Sequence, residues 1–336
     1  MKQRSLGRSG LKVSEICLGT MTFGVQCDEA TSFAILDRAA ERGVDFLDTA
    51  DCYPVPLSLE TAGRTEEILG RWLQGKRQRF VVATKSFFPM GPGPNDRGSS
   101  RRHILDAVEA SLRRLGTDFI DLYQVHAFDP ETPLEETLGA LDSVVRAGKV
   151  RYAGCSNFLG WELARALWLS DRLGLVRFDC TQPRYNLLHR DIETDLLPLC
   201  RDQGVGVIVF NPLAGGLLTG KHAADAEPAP NTRFGKLLGE TGSTYRRRYW
   251  QQESLEAVVA LKAFFEGRGK PLASAAIRWV LDRPGISAAI VGASRPEQLD
   301  QTLAAPELRL DAEEAAALDE VWYRLPRRRP APGPVR

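Results

Sequence analysis

Strand-like and helix-like stretches alternate along this chain almost from end to end, and that alternation limits the fold more than any other feature. Apolar, strand-like runs occupy 13–20, 45–50, 80–85, 120–126, 150–157, 178–186, 204–212 and 287–294. Each is followed by a helix-patterned segment, at 28–42, 65–74, 100–115, 133–147, 161–173, 191–202, 253–266 and 296–304. Eight such units close into a parallel barrel with its reactive groups at the C-terminal strand ends. An open, doubly wound sheet is the alternative, and it announces itself with a GxGxxG turn after the first strand. Here the first strand ends Gly19-Thr20-Met21 without that turn, so the barrel is expected. Residues before Val13 read as a short hairpin plugging the far end of the barrel, and 271–282 and 311–323 as additional helices. The expected fold class is therefore α/β, a (β/α)8 TIM barrel with an N-terminal β-hairpin and extra C-terminal helices.

No repeat beyond the strand–helix unit and no interdomain linker interrupts the chain, so residues 1–325 are expected to form a single barrel. The segment 326–336 is basic and Pro-rich, a composition expected to be disordered. Two connections exceed what packing requires: 86–99 after the third strand, and an irregular excursion, 213–250, after the seventh. Long connections in compact domains tend to carry function, so these are expected to wall the substrate and the cofactor.

Composition excludes several classes of partner. A formal charge of +1 over 336 residues gives no electrostatic footprint for nucleic acid or a membrane surface. No run approaches the roughly 20 apolar residues of a membrane span. The N-terminus lacks the apolar core of a secretory signal, so a cytoplasmic location is expected. Its six cysteines, Cys17, Cys27, Cys52, Cys155, Cys180 and Cys200, form no CxxC pair and match no zinc spacing. Free buried thiols are the expectation, with Cys52 and Cys155 flanking the residues discussed next. Four histidines without an HxH pair argue against a metal-dependent hydrolase, and no metal is expected.

Polar residues cluster where successive strand runs end: Asp48 and Tyr53, then Lys85, then His126. A barrel brings these ends to one mouth. A phenol with a pKa near ~10 is a weak acid at neutral pH. A neighbouring cation favours the phenolate, and Lys85 can supply that charge. Asp48 can hold Lys85 in its charged form, since a buried ammonium without a partner tends to lose its proton. His126 can donate a hydrogen bond to a substrate oxygen, with Tyr53 as the general acid in a carbonyl reduction.

The segments LDTADCY (47–53), VVATKS (81–86), DLYQVH (121–126) and AGCSN (153–157) resemble the aldo-keto reductase superfamily, as does the longer run SLRRLGTDFIDLYQVH at 111–126. The resemblance extends from Leu6-Gly7 to about Leu318. It implies that Asp48, Tyr53, Lys85 and His126 are the catalytic positions, and that the reaction is NAD(P)H-dependent reduction of an aldehyde or ketone.

It also implies a cofactor wall. Ser156 and Asn157 can cap the next helix; in the family the matching positions, with Gln182, hold the nicotinamide carboxamide. Phe210 can stack on the ring. Asn211, Leu213, Gly215, Gly216 and Lys221 follow it, the glycines allowing close approach to a pyrophosphate. Gly292, Ser294 and Arg295 precede Pro296, which suits a first helical turn. A basic residue here commonly meets the 2′-phosphate, so Arg295 points to NADPH over NADH. Gln298 and Gln301 are placed to touch the adenine.

On the substrate side, Phe87, Phe88 and Phe128 follow strand ends and suggest an apolar pocket, with Trp161 and Trp250 as further candidates. Asp129 reads as a loop or capping carboxylate. Relatives of similar length include reductases of nucleotide-linked deoxysugars, aromatic aldehyde reductases, pyridoxal reductases and potassium-channel β subunits. The expected partner is a small-molecule carbonyl, and a homo-oligomer is compatible with the sequence. The alternative from another class is a cofactor-sensing binding subunit with slow turnover.

Overall fold

In the computed structural model, which describes residues 1–224, 227–230, 232–235 and 238–326, the chain opens with an antiparallel hairpin. Its strands are β1 (Gln3–Ser5) and β2 (Lys12–Ser14). The apolar runs that follow become β3 (Ile16–Gly19), β4 (Phe46–Asp48), β5 (Val81–Ser86), β6 (Ile120–Val125), β7 (Val150–Ser156), β8 (Cys180–Gln182), β9 (Gly206–Val209) and β10 (Ile286–Val291). Every neighbouring pair is parallel, and β10 returns to β3, closing the barrel. Closure leaves no free sheet edge among these strands.

The first run, expected as one strand over 13–20, is two. The chain leaves the hairpin after Ser14 and enters the barrel at Ile16. At the corner the Ser14 hydroxyl donates to the Ile16 carbonyl at 2.6 Å and accepts from the Asp45 and Phe46 amides. Glu15, buried at the same corner, pairs with Arg4. Leu6 and Val13 of the hairpin pack with Cys17, Phe46, Leu122 and Ile208 inside the barrel, so the hairpin stops its far end. Gly7, with φ +58°, is needed there: a Cβ would lie 2.4 Å from the Gly204 carbonyl oxygen.

The helices α1 (Glu29–Glu41), α2 (Arg64–Leu73), α3 (Arg101–Leu115), α4 (Leu134–Arg146), α5 (Gly160–Leu173) and α6 (Leu196–Gln203) follow β3 to β8 in turn. Their buried faces pack with the outward side chains of the strands. Local signals start and stop them. Asp28 accepts from the Thr31 amide at the start of α1, Ser100 from His103 at the start of α3, and Gly116 ends α3 in a left-handed conformation.

The excursion after β9 is less irregular than its sequence suggests. A 3-10 segment at Ala214–Thr219 and a helix, α7 (Gly239–Tyr249), lie within it. The α7 sequence contains Gly239 and Gly242 and is a poor helix former; burial of Tyr245 and Tyr249 overrides that preference. Next come α8 (Gln252–Glu266), α9 (Leu272–Leu281), α10 (Leu299–Ala304) and α11 (Ala312–Arg324), so the extra C-terminal helices are present. The expected tail lies outside the described residues from 327 onward. Among the described residues no helix is long and apolar enough to cross a membrane.

Candidate active site

Strand register builds the floor of the site. Side chains two apart share a face of a strand, so each inward position of the apolar plug has a second position above it. Phe46, Ala83, Leu122 and Cys180 lie in the lower layer. Asp48, Lys85, Gln124 and Gln182 lie two residues later, and all four are buried. The apolar layer therefore carries a polar one at the C-terminal mouth.

Within that layer the groups satisfy one another. The Lys85 ammonium donates to Asp48 Oδ1 at 2.6 Å and to the Thr49 carbonyl at 2.7 Å. Gln182 Nε2 donates to Asp48 Oδ2 at 2.8 Å and to Gln124 Oε1 at 3.3 Å, and Gln124 donates to the same carboxylate at 3.4 Å. A buried ion pair is stable only when its remaining lone pairs are met, and here they are.

Tyr53 stands over this layer because the chain after β4 stays zipped to β5. The Thr49 amide donates to the Ala83 carbonyl and the Asp51 amide to the Lys85 carbonyl. Lys85 Nζ lies 5.4 Å from the centroid of the Tyr53 ring. His126, just past β6, meets Tyr53 edge-on at 5.9 Å between centroids and Phe88 at 4.9 Å. The sequence thus brings all four groups together.

Their protonation differs from the simplest expectation in one respect. Lys85 was expected to make the phenol more acidic. Instead, burial pushes the Tyr53 phenol well up, with Asp48 and Cys52 adding to the rise. The Lys85 charge is paired with Asp48 and a carbonyl, and its pull on the phenol does not outweigh burial. Tyr53 is accordingly a proton-bearing group at neutral pH. Burial, then the Lys85 charge, drives the His126 imidazole well below its usual range. It is neutral at pH 7 and has one N–H to offer. Cys52 Sγ lies 4.0 Å from His126 Nδ1, and burial pushes its thiol far up, so it is no thiolate nucleophile. All six cysteines are free and buried.

Above the floor opens a cavity of about 1160 Å³. Asp48, Tyr53 and His126 line it, while Lys85 sits beneath. So do Ser156, Asn157, Gln182, Phe210, Asn211, Leu213, Gly215, Gly216, Lys221, Gly292, Ser294, Arg295, Gln298 and Gln301. Near the floor, Asn157 Nδ2 donates to the His126 carbonyl at 3.0 Å and to Ser156 Oγ at 3.1 Å. With the Gln182 amine engaged by Asp48, the acceptor oxygens of Asn157 and Gln182 remain for a ligand amide. Farther out, Gly215 (φ +71°) and Gly216 (φ +101°) turn the chain in the left-handed region. A Cβ on Gly215 would strike the Tyr245 ring at 2.5 Å.

The far end of the cavity is cationic. Desolvation, then the charges of Arg233 and Arg295, press the Lys221 ammonium below its usual range. Among the described residues none of these three cations has a carboxylate within 4.0 Å. Glu297 lines the same end. Gln298 is turned toward its own loop, its Oε1 accepting from the Ser294 amide at 2.8 Å and hydroxyl at 3.2 Å. Pro296 opens a 3-10 turn, and α10 beyond it is short, so side chains rather than a helix end supply the positive charge.

Several lining residues were not singled out from sequence. Thr20, Met21, Thr22 and Gln26 follow β3, and Arg233, Tyr245 and His222 come from the excursion. Glycine after the first strand was a usable signal for the first group. Arg233 and Tyr245 carry none, because α7 and the turn before it depend on tertiary packing. Tyr245 donates to Asn211 Oδ1 at 3.1 Å, and Asn211 Nδ2 is buried without a partner. That orphaned donor, the amide acceptors and the cation group together fit a nicotinamide dinucleotide.

On the substrate side Phe88 touches His126, and Phe87 packs on Phe88 at 5.5 Å. Phe128 contacts Trp161 at 5.7 Å, and Trp161 is 54% exposed. Trp250 instead packs against His222 and Phe234 over the cofactor side. Asp129 orders its loop, accepting from the Ser99 and Glu131 amides and the Thr132 hydroxyl.

Known proteins match this arrangement along the whole barrel. The family described as the aldo/keto reductase family matches residues 15–323. An uncharacterized oxidoreductase of Bacillus subtilis is 39% identical over 96% of this chain and 96% of its own. An Arabidopsis thaliana protein named "Probable voltage-gated potassium channel subunit beta" is 37% identical over 92% of each chain. A versiconal hemiacetal acetate reductase of Aspergillus parasiticus is 33% identical over 96% of this chain and 97% of its own.

Proposed function

This chain belongs to the aldo/keto reductase family, and from that premise we propose that it reduces an aldehyde or ketone to an alcohol, reversibly, with NADPH. The observation that carries the reading is the Asp48–Lys85 pair at 2.6 Å beneath Tyr53 and His126, on the floor of a cavity whose other end is cationic. A reduced nicotinamide dinucleotide held there would supply the hydride chemistry of the reduction. Ser156, Asn157 and Gln182 would hold its carboxamide, Phe210 would flank the ring, and Lys221, Arg233 and Arg295 would meet its phosphates.

The protein's own work is at the carbonyl oxygen. The neutral His126 imidazole donates a hydrogen bond that fixes the oxygen's position. Tyr53, kept protonated by burial, delivers its proton to that oxygen as negative charge develops there. The resulting phenolate is stabilised by the nearby ammonium of Lys85. Asp48 holds the Lys85 side chain in place. Phe87 and Phe88 exclude water from the developing charge and favour an apolar or aromatic carbonyl.

The preference for NADPH over NADH rests on the cation group. Arg295→Ala is expected to lower kcat/KM for NADPH by roughly tenfold, the worth of one charge-assisted hydrogen bond, while changing that for NADH much less. An unaltered NADPH:NADH ratio in the variant would remove the argument. A second reading comes from the potassium-channel relative: a cofactor-sensing binding subunit with slow turnover. Steady-state turnover on 4-nitrobenzaldehyde and a panel of ketones separates the two. Sustained cofactor consumption supports the enzyme, and a single slow turnover supports the binding subunit.

A further inference from the structure

Beside the mouth, and outside the groups assigned to chemistry or cofactor, two arginines flank Tyr249, Arg184 over its ring and Arg248 beside it in the chain. Arg184 lies two residues beyond Gln182, past the C-terminal end of β8, where it bridges Phe210. Its guanidinium lies over the Tyr249 ring at 5.8 Å and meets His189 Nδ1 at 3.3 Å. Arg248 comes from the last turn of α7, next to Tyr249. Among the described residues neither arginine has a carboxylate within 4.0 Å. Asp191 approaches their neighbour instead, 3.6 Å from His189 Nδ1 on a half-exposed side chain.

The helix dipole accounts for basic residues at the end of α7. It does not account for Arg184, which reaches the Tyr249 ring from the barrel. Burial, then the Arg184 and Arg248 charges, hold the His189 imidazole down at about 3. His189 is therefore neutral, and it meets Arg184 as an acceptor rather than as a third charge. Arg248 is itself pushed below its usual range, by desolvation and then by Arg184, although its side chain remains reachable from solvent. Two like charges held together this way raise the free energy of the empty site, and an oxyanion between them relieves it.

The location links the pair to the reaction cavity. Tyr249, under Arg184, shares the Asn186 amine with the Asn211 carbonyl at 3.1 and 2.9 Å. Asn211 lines the cavity. Hydrogen bonds through Asn186 thus link Tyr249, under Arg184, to a residue of the cavity wall.

We propose that Arg184 and Arg248, with His189 and Tyr249 as their support, form a second anion site at the rim, which takes a carboxylate or phosphate group carried by the carbonyl substrate or free in solution. The first source rests on the reductase reading above; the second does not.

Two arms of one experiment test this. In the first, protein saturated with NADP, so that the cofactor's phosphate positions are filled, is melted with increasing inorganic phosphate at constant ionic strength. Phosphate is expected to raise Tm in the wild type and to do so much less in Arg184→Gln and in Arg248→Gln. Arg248 lies on an exposed helix end, so its variant carries the test if Arg184→Gln fails to fold. In the second arm, the KM for 4-carboxybenzaldehyde is divided by that for 4-nitrobenzaldehyde. The ratio is expected to rise roughly tenfold in either variant if the substrate carries the anion, a fold-change equal to about 1.4 kcal/mol. A phosphate-dependent Tm with an unmoved ratio assigns the site to a free anion. The same phosphate response in wild type and both variants, with no change in ratio, overturns the proposal. If neither aldehyde turns over, the reductase reading fails, and the melting arm still decides the site.

Discussion

Asp51 shows how far a single side chain can depart from its usual chemistry in this mouth. It sits two residues before Tyr53, fully buried, and among the described residues no side chain hydrogen-bonds its carboxylate. Burial, then the Glu66 charge, pushes its carboxyl well above the ordinary range, against a smaller pull from Arg114. Glu66 is itself held by Arg114 at 2.7 Å and Thr84 at 2.6 Å. Asp51 thus stays protonated in the folded state at pH values where the unfolded chain has lost the proton. Stability from such a group is complete below the unfolded pKa of about 4 and declines as pH rises toward the folded value. Asp51→Asn cannot titrate and escapes that decline. The Tm difference, variant minus wild type, is expected to grow between pH 4 and pH 8. A difference that stays flat across that range would show that Asp51 titrates normally. The sequence gives no hint of this behaviour, since an Asp in a loop is ordinarily solvated; only the zipping of residues 49–51 onto β5 buries it.

The proposed catalytic groups are legible at the scale of elements because each stands at the end of an apolar run. Asp48 ends β4, Lys85 lies at the end of β5 and His126 follows β6, so a barrel suffices to gather them. The excursion is a different case. Arg233 and Tyr245 reach the cavity from a segment with no apolar periodicity, and its helix forms where two tyrosines find polar partners inside. Nothing local in Gly239–Tyr249 announces α7. The corner at Ser14–Ile16 was hidden for the opposite reason: both sides of it are apolar and strand-like, and only the Ser14 and Glu15 bonds mark the break. If Tyr245 pins the excursion to Asn211 over the cofactor, Tyr245→Phe should weaken NADPH binding. Loss of one neutral hydrogen bond is worth about 1 kcal/mol, so a roughly fivefold rise in Kd is expected by fluorescence titration. An unchanged Kd would mean that the excursion does not close on the cofactor through this contact.

Taken as a whole, the barrel separates two tasks. The hairpin end is stopped with Leu6 and Val13, and the opposite end carries charge. That polarity followed from the order of strands and helices, and it is why the fold and the place of the candidate site could be read together. The closeness of Lys85 to Asp48 was foreseen; the consequence for Tyr53 was not, because sequence shows which charges are near but not which are already paired. The account depends on the phenol of Tyr53 delivering the proton in a mouth that binds NADPH independently of it. The direct measurement is Tyr53→Phe, with NADPH affinity and turnover of 4-nitrobenzaldehyde determined on the same preparation. The account predicts a Kd within about twofold of wild type and a fall in kcat of roughly a hundredfold or more, the usual worth of a general acid. A variant that binds NADPH and keeps near-normal kcat would contradict it.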